Sequence, residues 1–503
     1  MAHSTVQTAS PAMACSDEFN DFLVRLLPQV LALFALQQAF RQQPPAPELT
    51  HAFESGTAAT LREIGRVIVA HEYNSLEPEV LDDCPLRLRF ADAEYRRRPK
   101  SPKQVGTLFG EIDLRRYLYE AIEAGEPALF PLEKQLGITG GLATPALAER
   151  VGLWSVDHEQ EQVRTLLRRE HNVSWSVTSV RKVTTALRDG LAAFREEAQV
   201  ARVLELLAKA CASKGKHRPV LAAGRDGIHV PIRQEGYHEG ATATLSVQDR
   251  RGKRLGTVYL GQMPEAGQGT LSAQLTSLLH KVLTQWHALG RPAPRLAYIT
   301  DGGSHPQEYY RQVLRRMDDP WHPGQPLAWQ WVVDFWHGCG YVNQLATALF
   351  GAGDKAARWF AKWRRWLRDR HHGVSQVLRS AMWHYNNGRQ LRKGQTVDYW
   401  KAYRYLRRHA LWMKYAAYRR QGMPIGSGVT EAACKTVFTE RLKRSGMTWS
   451  HTGGQVILDL RVLVLSAVWH EAHGAYLRSR PQPTVSKQAS KRCCSGHELI
   501  EAA

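Results

Sequence analysis

Three acidic residues stand where a fold can leave a carboxylate open. Asp226 and Asp301 each close a mainly apolar run and are followed by glycine, in Arg225-Asp-Gly227 and Thr300-Asp-Gly302, so that backbone can approach closely beside an exposed side chain. Glu431 lies in Gly426-Ser-Gly-Val-Thr-Glu-Ala-Ala-Cys-Lys-Thr436, near the start of a helix expected from about Gly428, and can project back onto the edge of a sheet. The intervals are 75 and 130 residues. Converging carboxylates in a chain of net charge +20 make a site for hard, oxygen-seeking divalent cations, Mg²⁺ above all. Two such ions about 4 Å apart activate a water or a 3′-hydroxyl and stabilise the leaving oxygen of a displacement at phosphorus. Without metal, three acids at one point repel one another and raise their pKa values. Taken singly, the two Asp-Gly pairs are also ordinary turn dipeptides, and Glu431 with Lys435 is a plain i, i+4 helix pair. The combination carries the chemistry.

The surrounding pattern supplies elements to position these acids. Residues 220–232, 241–247 and 255–260 read as antiparallel strands, the last two joined by Asp249-Arg-Arg-Gly252. A helix over 272–289 follows, with Leu275, Leu278, Leu279, Val282 and Leu283 on one face. Then come a buried strand ending at Asp301, a helix over 306–317, and a strand over 329–333 that leads into Asp334-Phe-Trp-His337. The order β-β-β-α-β-α-β is that of an RNase H-like core. No glycine-rich phosphate loop precedes a helix here, which argues against a nucleotide-driven machine. Residues 338–425 read as helical throughout and interrupt this core before its last helices. The expected fold class is therefore mixed α+β: a five-stranded sheet flanked by helices, with an all-helical insertion and a mostly helical N-terminal DNA-binding region.

The 503 residues carry 67 Lys and Arg against 47 Asp and Glu. With 43% hydrophobic and 23% charged residues, whole-chain disorder and a single small module are both excluded. Residues 355–480 hold 25 Lys and Arg against six Asp and Glu, nearly the whole excess of positive charge, together with eight of the 15 tryptophans. Cationic grooves interleaved with planar side chains suit phosphate backbones and unstacked bases. Trp359, Trp363 and Trp366, at i, i+4 and i+7, equally fit the apolar stripe of one helix.

Upstream, residues 17–40 have a helical period through Phe19, Phe22, Leu23, Leu26, Leu27 and Val30, which Pro28 should kink or restart. Residues 105–118 read as two short strands around Phe109-Gly110. Thr144-Pro145 and Asp157 are expected to cap short helices, and residues 176–187 would be the recognition helix of a helix-turn-helix, presenting Arg181 and Lys182. A linker helix is expected over 195–214. The chain thus divides into a tail (1–16), an N-terminal region (17–140), a helix-turn-helix-like region (141–215), a core (216–337), an insertion (338–425), last core helices (426–480) and a second tail (481–503). Seven scattered cysteines, the absence of a basic-then-apolar leader, and an apolar run (26–40) broken by Pro28, Gln29, Gln37 and Gln38 predict a cytoplasmic protein with reduced thiols and no membrane partner.

The block 426–436, followed by Arg441-Leu-Lys-Arg-Ser-Gly-Met-Thr-Trp449 and Gly454-Gln-Val-Ile-Leu-Asp-Leu-Arg461, closely resembles the C-terminal signature of ISKra-type bacterial insertion-sequence transposases. These are DDE enzymes with an RNase H-like catalytic domain. Arg225-Asp-Gly227, Thr300-Asp-Gly302 and Val333-Asp-Phe-Trp-His337 resemble other blocks of the family in the same order, and the likeness spans roughly residues 105 to 480. It implies Asp226, Asp301 and Glu431 as the catalytic, metal-holding triad, with two Mg²⁺ that Mn²⁺ can replace. Asp334 competes with Asp301 as second acid; otherwise it and His337 support the site or touch DNA. Arg181, Lys182, Lys435, Arg441, Lys443, Arg444 and Trp449 are the expected DNA contacts. The expected activity is binding of terminal inverted repeats, metal-dependent strand cleavage and strand transfer into target DNA, by a homo-oligomer assembled on double-stranded DNA in the bacterial nucleoid. Family members resemble carriers of a Cys-rich zinc ribbon ahead of Val105, whereas Cys84-Pro-Leu-Arg-Leu-Arg89 keeps one cysteine; no zinc is expected. Rival readings are an inactive transposase-derived repressor and an RNase H-like nuclease or resolvase.

Overall fold

The computed structural model describes residues 17–77, 85–90, 93–123, 125–388 and 390–480. Cys84 and both expected tails lie outside the described residues. The chain divides into two compact units, 1–187 with 477–503, and 188–476.

The first unit begins with two long helices, α1 (Asp17–Arg41) and α2 (Pro47–Ser75). Pro28 lies inside α1, which is a single helix rather than two. By length and composition the stretch Phe19–Arg41 is apolar enough to cross a membrane, which the reading of 26–40 alone missed. Strands β1 (Arg87–Phe90), β2 (Ala93–Thr107) and β3 (Gly110–Ala121) form an antiparallel sheet, much longer than the expected strand pair. Helices α3 (Pro131–Gln135), α4 (Pro145–Asp157) and α5 (Gln160–His171) lead to α6 (Val177–Ala212). Thr144 and Pro145 start α4 as expected, but Glu159, in a capping box with Gln162, starts α5 in place of Asp157. Leu147, Val151, Val163, Leu167, Val180 and Val183 close a three-helix core. The expected recognition and linker helices are one 36-residue helix, α6, because residues 188–194 contain no proline and a single glycine costs a helix only about 1 kcal/mol. The boundary between units accordingly falls inside α6, not at 140 or 215.

In the second unit, β4 (Val220–Ile232), β5 (Gly236–Gln248) and β6 (Arg254–Gln262) are followed by α7 (Gly269–Ala288), β7 (Arg295–Thr300), α8 (Ser304–Gln312) and β8 (Gln330–Val333). The sheet order is β6-β5-β4-β7-β8, antiparallel across the first three strands and parallel from β4 to β8. This is a mixed α+β fold. Helices α9 (Phe335–Phe350), α10 (Asp354–Asp369), α11 (Gly373–Asn387), α12 (Lys393–His409) and α13 (Tyr415–Arg420) make up the expected insertion. They are not a separate body: Val342, Trp359, Trp363, Val377 and Leu406 belong to the same buried cluster as Leu245, Val282 and Trp331. Trp359 and Trp363 are therefore core residues, while the cations of α10 are exposed, with the Lys362 ammonium 5.1 Å from the Trp363 ring centroid. The chain then returns through α14 (Gly428–Ala433), a π-helical turn (Cys434–Thr439) and α15 (Glu440–Leu442) to α16 (His451–Leu465) and α17 (Trp469–Ser479). Ala433, Val437, Phe438, Leu442, Ile457 and Leu458 pack with Val230 and Ile232 and so hold α14 to α16 against the far end of β4.

Candidate active site

Strand register makes Asp226 and Asp301 neighbours. In the parallel pair β4–β7, Ala222 faces Ala297 and Gly224 faces Ile299, an offset of 75 residues that equals the interval between the two acids. Strand β8 extends the row, since Thr300 faces Val333 and Asp301 and Asp334 are the residues that follow them. Asp301 and Asp334 therefore follow the carboxyl ends of β7 and β8, where open α/β sheets place their ligands, and Asp226 lies beside them in the middle of β4.

Asp226 is half-buried. The strand pleat sends its predecessor Arg225 to the opposite face, where the buried guanidinium donates to Ser272 Oγ at 2.9 Å and to Gln268 Oε1 at 3.0 Å. On the acidic face the Gly227 N–H donates to Asp226 Oδ1 at 2.9 Å and the Cys434 thiol to Oδ2 at 3.4 Å. Burial pushes the Asp226 carboxyl up, and the charges of Asp301 and Glu431 add to it, against the Cys434 and Gly227 hydrogen bonds that favour the ionised form. The Cys434 thiol is pushed up in turn by burial and by Asp226, Glu431 and Asp301. The three expected acids thus share one electrostatic environment.

Glu431 reaches this edge because α14 is pressed onto the sheet. The Thr430 and Thr244 hydroxyls lie 2.9 Å apart, and a Cβ on Gly224 would come within 2.1 Å of Thr430 Oγ1, so only glycine permits the approach. Glu431, the next residue, is exposed, and Ser427 Oγ donates to its Oε1 at 3.2 Å. The π-helical turn just beyond carries Cys434, a kind of helix irregularity common at functional sites.

Asp301 ends β7 on a glycine turn. The Gly303 N–H donates to its Oδ1 at 2.9 Å, Gly302 adopts φ +87°, and the Tyr405 hydroxyl of α12 donates to its carbonyl. Asp334 has a different environment. It is 0% exposed and caps α9, Oδ1 accepting from the His337 N–H at 2.5 Å and Oδ2 from the Ser427 N–H. It ties β8 and α9 to the loop that carries Ser427, and both of its oxygens are engaged by backbone. The His337 ring is exposed, edge-on to Tyr341 and Tyr405 at 5.4 and 5.7 Å.

Among the described residues no three His, Cys, Asp or Glu side chains form a ready-made metal cage. Mg²⁺ does not need one, because it keeps several waters and is held by one or two carboxylates together with substrate phosphates. Asp226, Asp301 and Glu431 offer oxygen acceptors only, the donor chemistry such an ion takes.

Of the expected DNA contacts, Arg181 and Lys182 are exposed on α6 in the first unit, with Arg181 Nε donating to Gln160 Oε1 at 2.7 Å. Lys435 and Arg444 are exposed and Lys443 is half-buried. Arg441 is a correction: at 1% exposure its guanidinium lies 5.1 Å from the centroid of the Trp449 ring, inside the fold rather than on its surface. Trp449 is likewise a packing residue. Its indole N–H donates to the Leu442 carbonyl at 2.9 Å, and its backbone bonds Pro231 and Arg233 at the end of β4. Sequence reasoning missed Ser427, Cys434 and Tyr405. The first two sit in the Glu431 block itself, whereas Tyr405, 104 residues from Asp301, left no local signal.

The burial of Asp226, with the charges of Asp301 and Glu431 beside it, predicts a stability effect. Because ionising Asp226 is disfavoured in the folded chain, it destabilises that state as pH rises through its raised pKa, and it has no such effect below the ordinary carboxylate range. Metal-free Asp226→Asn should therefore melt about 1–3 °C above wild type at neutral pH, the difference vanishing in acid. Calorimetry in EDTA across pH checks this; an unchanged or lower Tm at neutral pH would mean that neither burial nor the neighbouring acids disfavour the ionised carboxylate.

Among known proteins, no family model matches the chain and no curated protein matches it.

Proposed function

We propose that residues 188–476 form an RNase H-like catalytic core and that the protein is a DNA transposase of the DDE class, with Asp226, Asp301 and Glu431 as its acids. The observation that carries this is the electrostatic coupling of the three, each delivered by a different element: the middle of β4, the end of β7 and the start of α14. The strand order β6-β5-β4-β7-β8, with its antiparallel and parallel halves, supports the fold reading.

The three carboxylates would hold two Mg²⁺, or Mn²⁺ in their place, which when bound activate a water or 3′-hydroxyl and neutralise charge on the leaving oxygen. The chain's own residues do the positioning. Gly227 and Cys434 orient Asp226, Gly303 and Tyr405 hold the Asp301 turn, and Ser427 orients Glu431. The exposed Lys355, Arg358, Lys362, Arg364 and Arg365 of α10 offer phosphate contacts, so affinity for DNA should fall steeply with salt.

The test incubates purified protein with a labelled duplex carrying the element's own end, in Mg²⁺ and in EDTA. We expect nicking at the end only with metal, followed by joining of the freed 3′-hydroxyl to a second duplex. Binding without cleavage in Mg²⁺ or Mn²⁺ would replace this reading with a repressor, and cleavage without joining with a nuclease or resolvase.

A further inference from the structure

Helix α1 is apolar on two sides, and among the described residues only one of them is covered. The covered side packs antiparallel on α2: Phe22 lies 4.9 Å from the His71 ring, Phe40 stacks on Phe53 at 4.5 Å, and Leu36 sits over Gly56. The other side presents Leu23, Leu27, Val30 and Phe34 at i, i+4, i+7 and i+11, flanked by Val24 and Leu31. These six are between 42% and 69% exposed. Alternating steps of four and three residues make the seam of two packed helices. An isolated exposed leucine needs no explanation, but six along one stripe of a 25-residue helix do.

We infer that this stripe is the contact face for a second copy of the chain, paired antiparallel through α1. The area fits: the six side chains leave roughly 600 Å² of apolar surface, so two copies would bury about 1,200 Å², the lower end of stable interfaces. Spacing sets the register and charge the direction. The stripe is centred between Pro28 and Gln29, so antiparallel pairing about a twofold axis there sets Leu23 opposite the partner's Phe34 and Leu27 opposite the partner's Val30, whereas a parallel pair sets Asp21, Arg25 and Arg41 each beside its own copy. A lipid surface is the competing partner, since α1 is long and apolar enough to enter one. Against it, one stripe is already packed on α2, and Asp21, Arg25, Gln29, Gln37 and Gln38 interrupt the helix. The pairing does not depend on the catalytic reading and is expected without DNA.

Sedimentation equilibrium of the full chain, free of DNA, tests it. Wild type should sediment at twice the chain mass at micromolar concentration. The variant Leu27→Glu/Phe34→Glu should be monomeric, its dissociation constant raised about 100-fold or more, with an unchanged circular-dichroism spectrum. Because the axis passes between Pro28 and Gln29, Val30→Cys should cross-link copies on oxidation well beyond the wild-type background, and Leu23→Cys should not. A monomeric wild type at tens of micromolar, or a dimer indifferent to the double substitution, overturns the proposal. So does co-sedimentation of wild type with phosphatidylcholine/phosphatidylglycerol vesicles that the same substitution abolishes, which would assign the stripe to lipid. None of these outcomes depends on whether DNA is cut.

Discussion

Asp301→Asn is expected to leave a folded protein that binds its DNA but nicks it on the order of 10³-fold more slowly, whereas Asp334→Ala should fail first as a structure. The contrast follows from what the two carboxylates touch. Asp301 is half-buried, with one oxygen accepting from the Gly303 N–H, and its turn is held from outside by Tyr405, so Asn keeps the shape and loses the charge that a cation needs. Asp334 is sealed from solvent and spends both oxygens on the backbone N–H groups of His337 and Ser427. Removing it strips a helix cap and strands two donors, together costing roughly 2–4 kcal/mol. In a unit of this size that lowers Tm by roughly 5–10 °C. Asparagine still caps α9 with its one carbonyl oxygen but sets an NH2 group against the Ser427 N–H, so Asp334→Asn should lose less Tm than Asp334→Ala and retain more of the nicking rate than Asp301→Asn. Nicking rates and melting curves of the three variants decide the matter. If Asp334→Asn keeps its Tm and loses nicking while Asp301→Asn remains active, the second acid is Asp334.

How much of this was legible in the sequence depends on how local each cause is. The strands and their order were readable because each apolar run is bounded by its own turn residues, and the acids because each sits beside glycine in a short block. That their strands are neighbours followed from the expected topology, but the register that sets the acids side by side did not, since the 75-residue offset acquires meaning only when β4 and β7 pair in parallel. Side-chain direction was also hidden. Arg441 and Arg444 stand three residues apart in one basic block, yet one is buried under Trp449 and the other exposed. Asp334 looked like a rival catalytic acid because its block, Val333-Asp-Phe-Trp-His337, is also what a cap at the start of an apolar helix looks like. The insertion read correctly as helical, but its packing into the core of the sheet was not readable, because one amphipathic pattern serves a helix packed on its neighbours and a helix packed on a sheet.

The position of Glu431 rests on a glycine 207 residues away, and Gly224→Ala should cost nicking about 100-fold. Its new Cβ would lie 2.1 Å from Thr430 Oγ1, 3.0 Å from Thr244 Oγ1 and 3.2 Å from the Ile299 carbonyl. Strand β4 is hydrogen-bonded on both sides, to β5 and β7, and cannot retreat. Helix α14 is six residues long and is the part able to move, carrying Glu431 with it. A displacement near 1 Å at a reacting centre is worth about 10²-fold in rate, and overpacking of this kind costs roughly 1–3 kcal/mol in stability. The clash is with one oxygen atom, so Thr430→Ala in the same chain removes it and should restore most of the rate, while Thr430→Ala alone has a small effect. That pattern is a coupling between the two positions, measurable as a double-mutant cycle on the nicking rate. If Gly224→Ala nicks at the wild-type rate, or if the double variant gains nothing over it, then the seating of α14 on β4 is not what holds Glu431 in place.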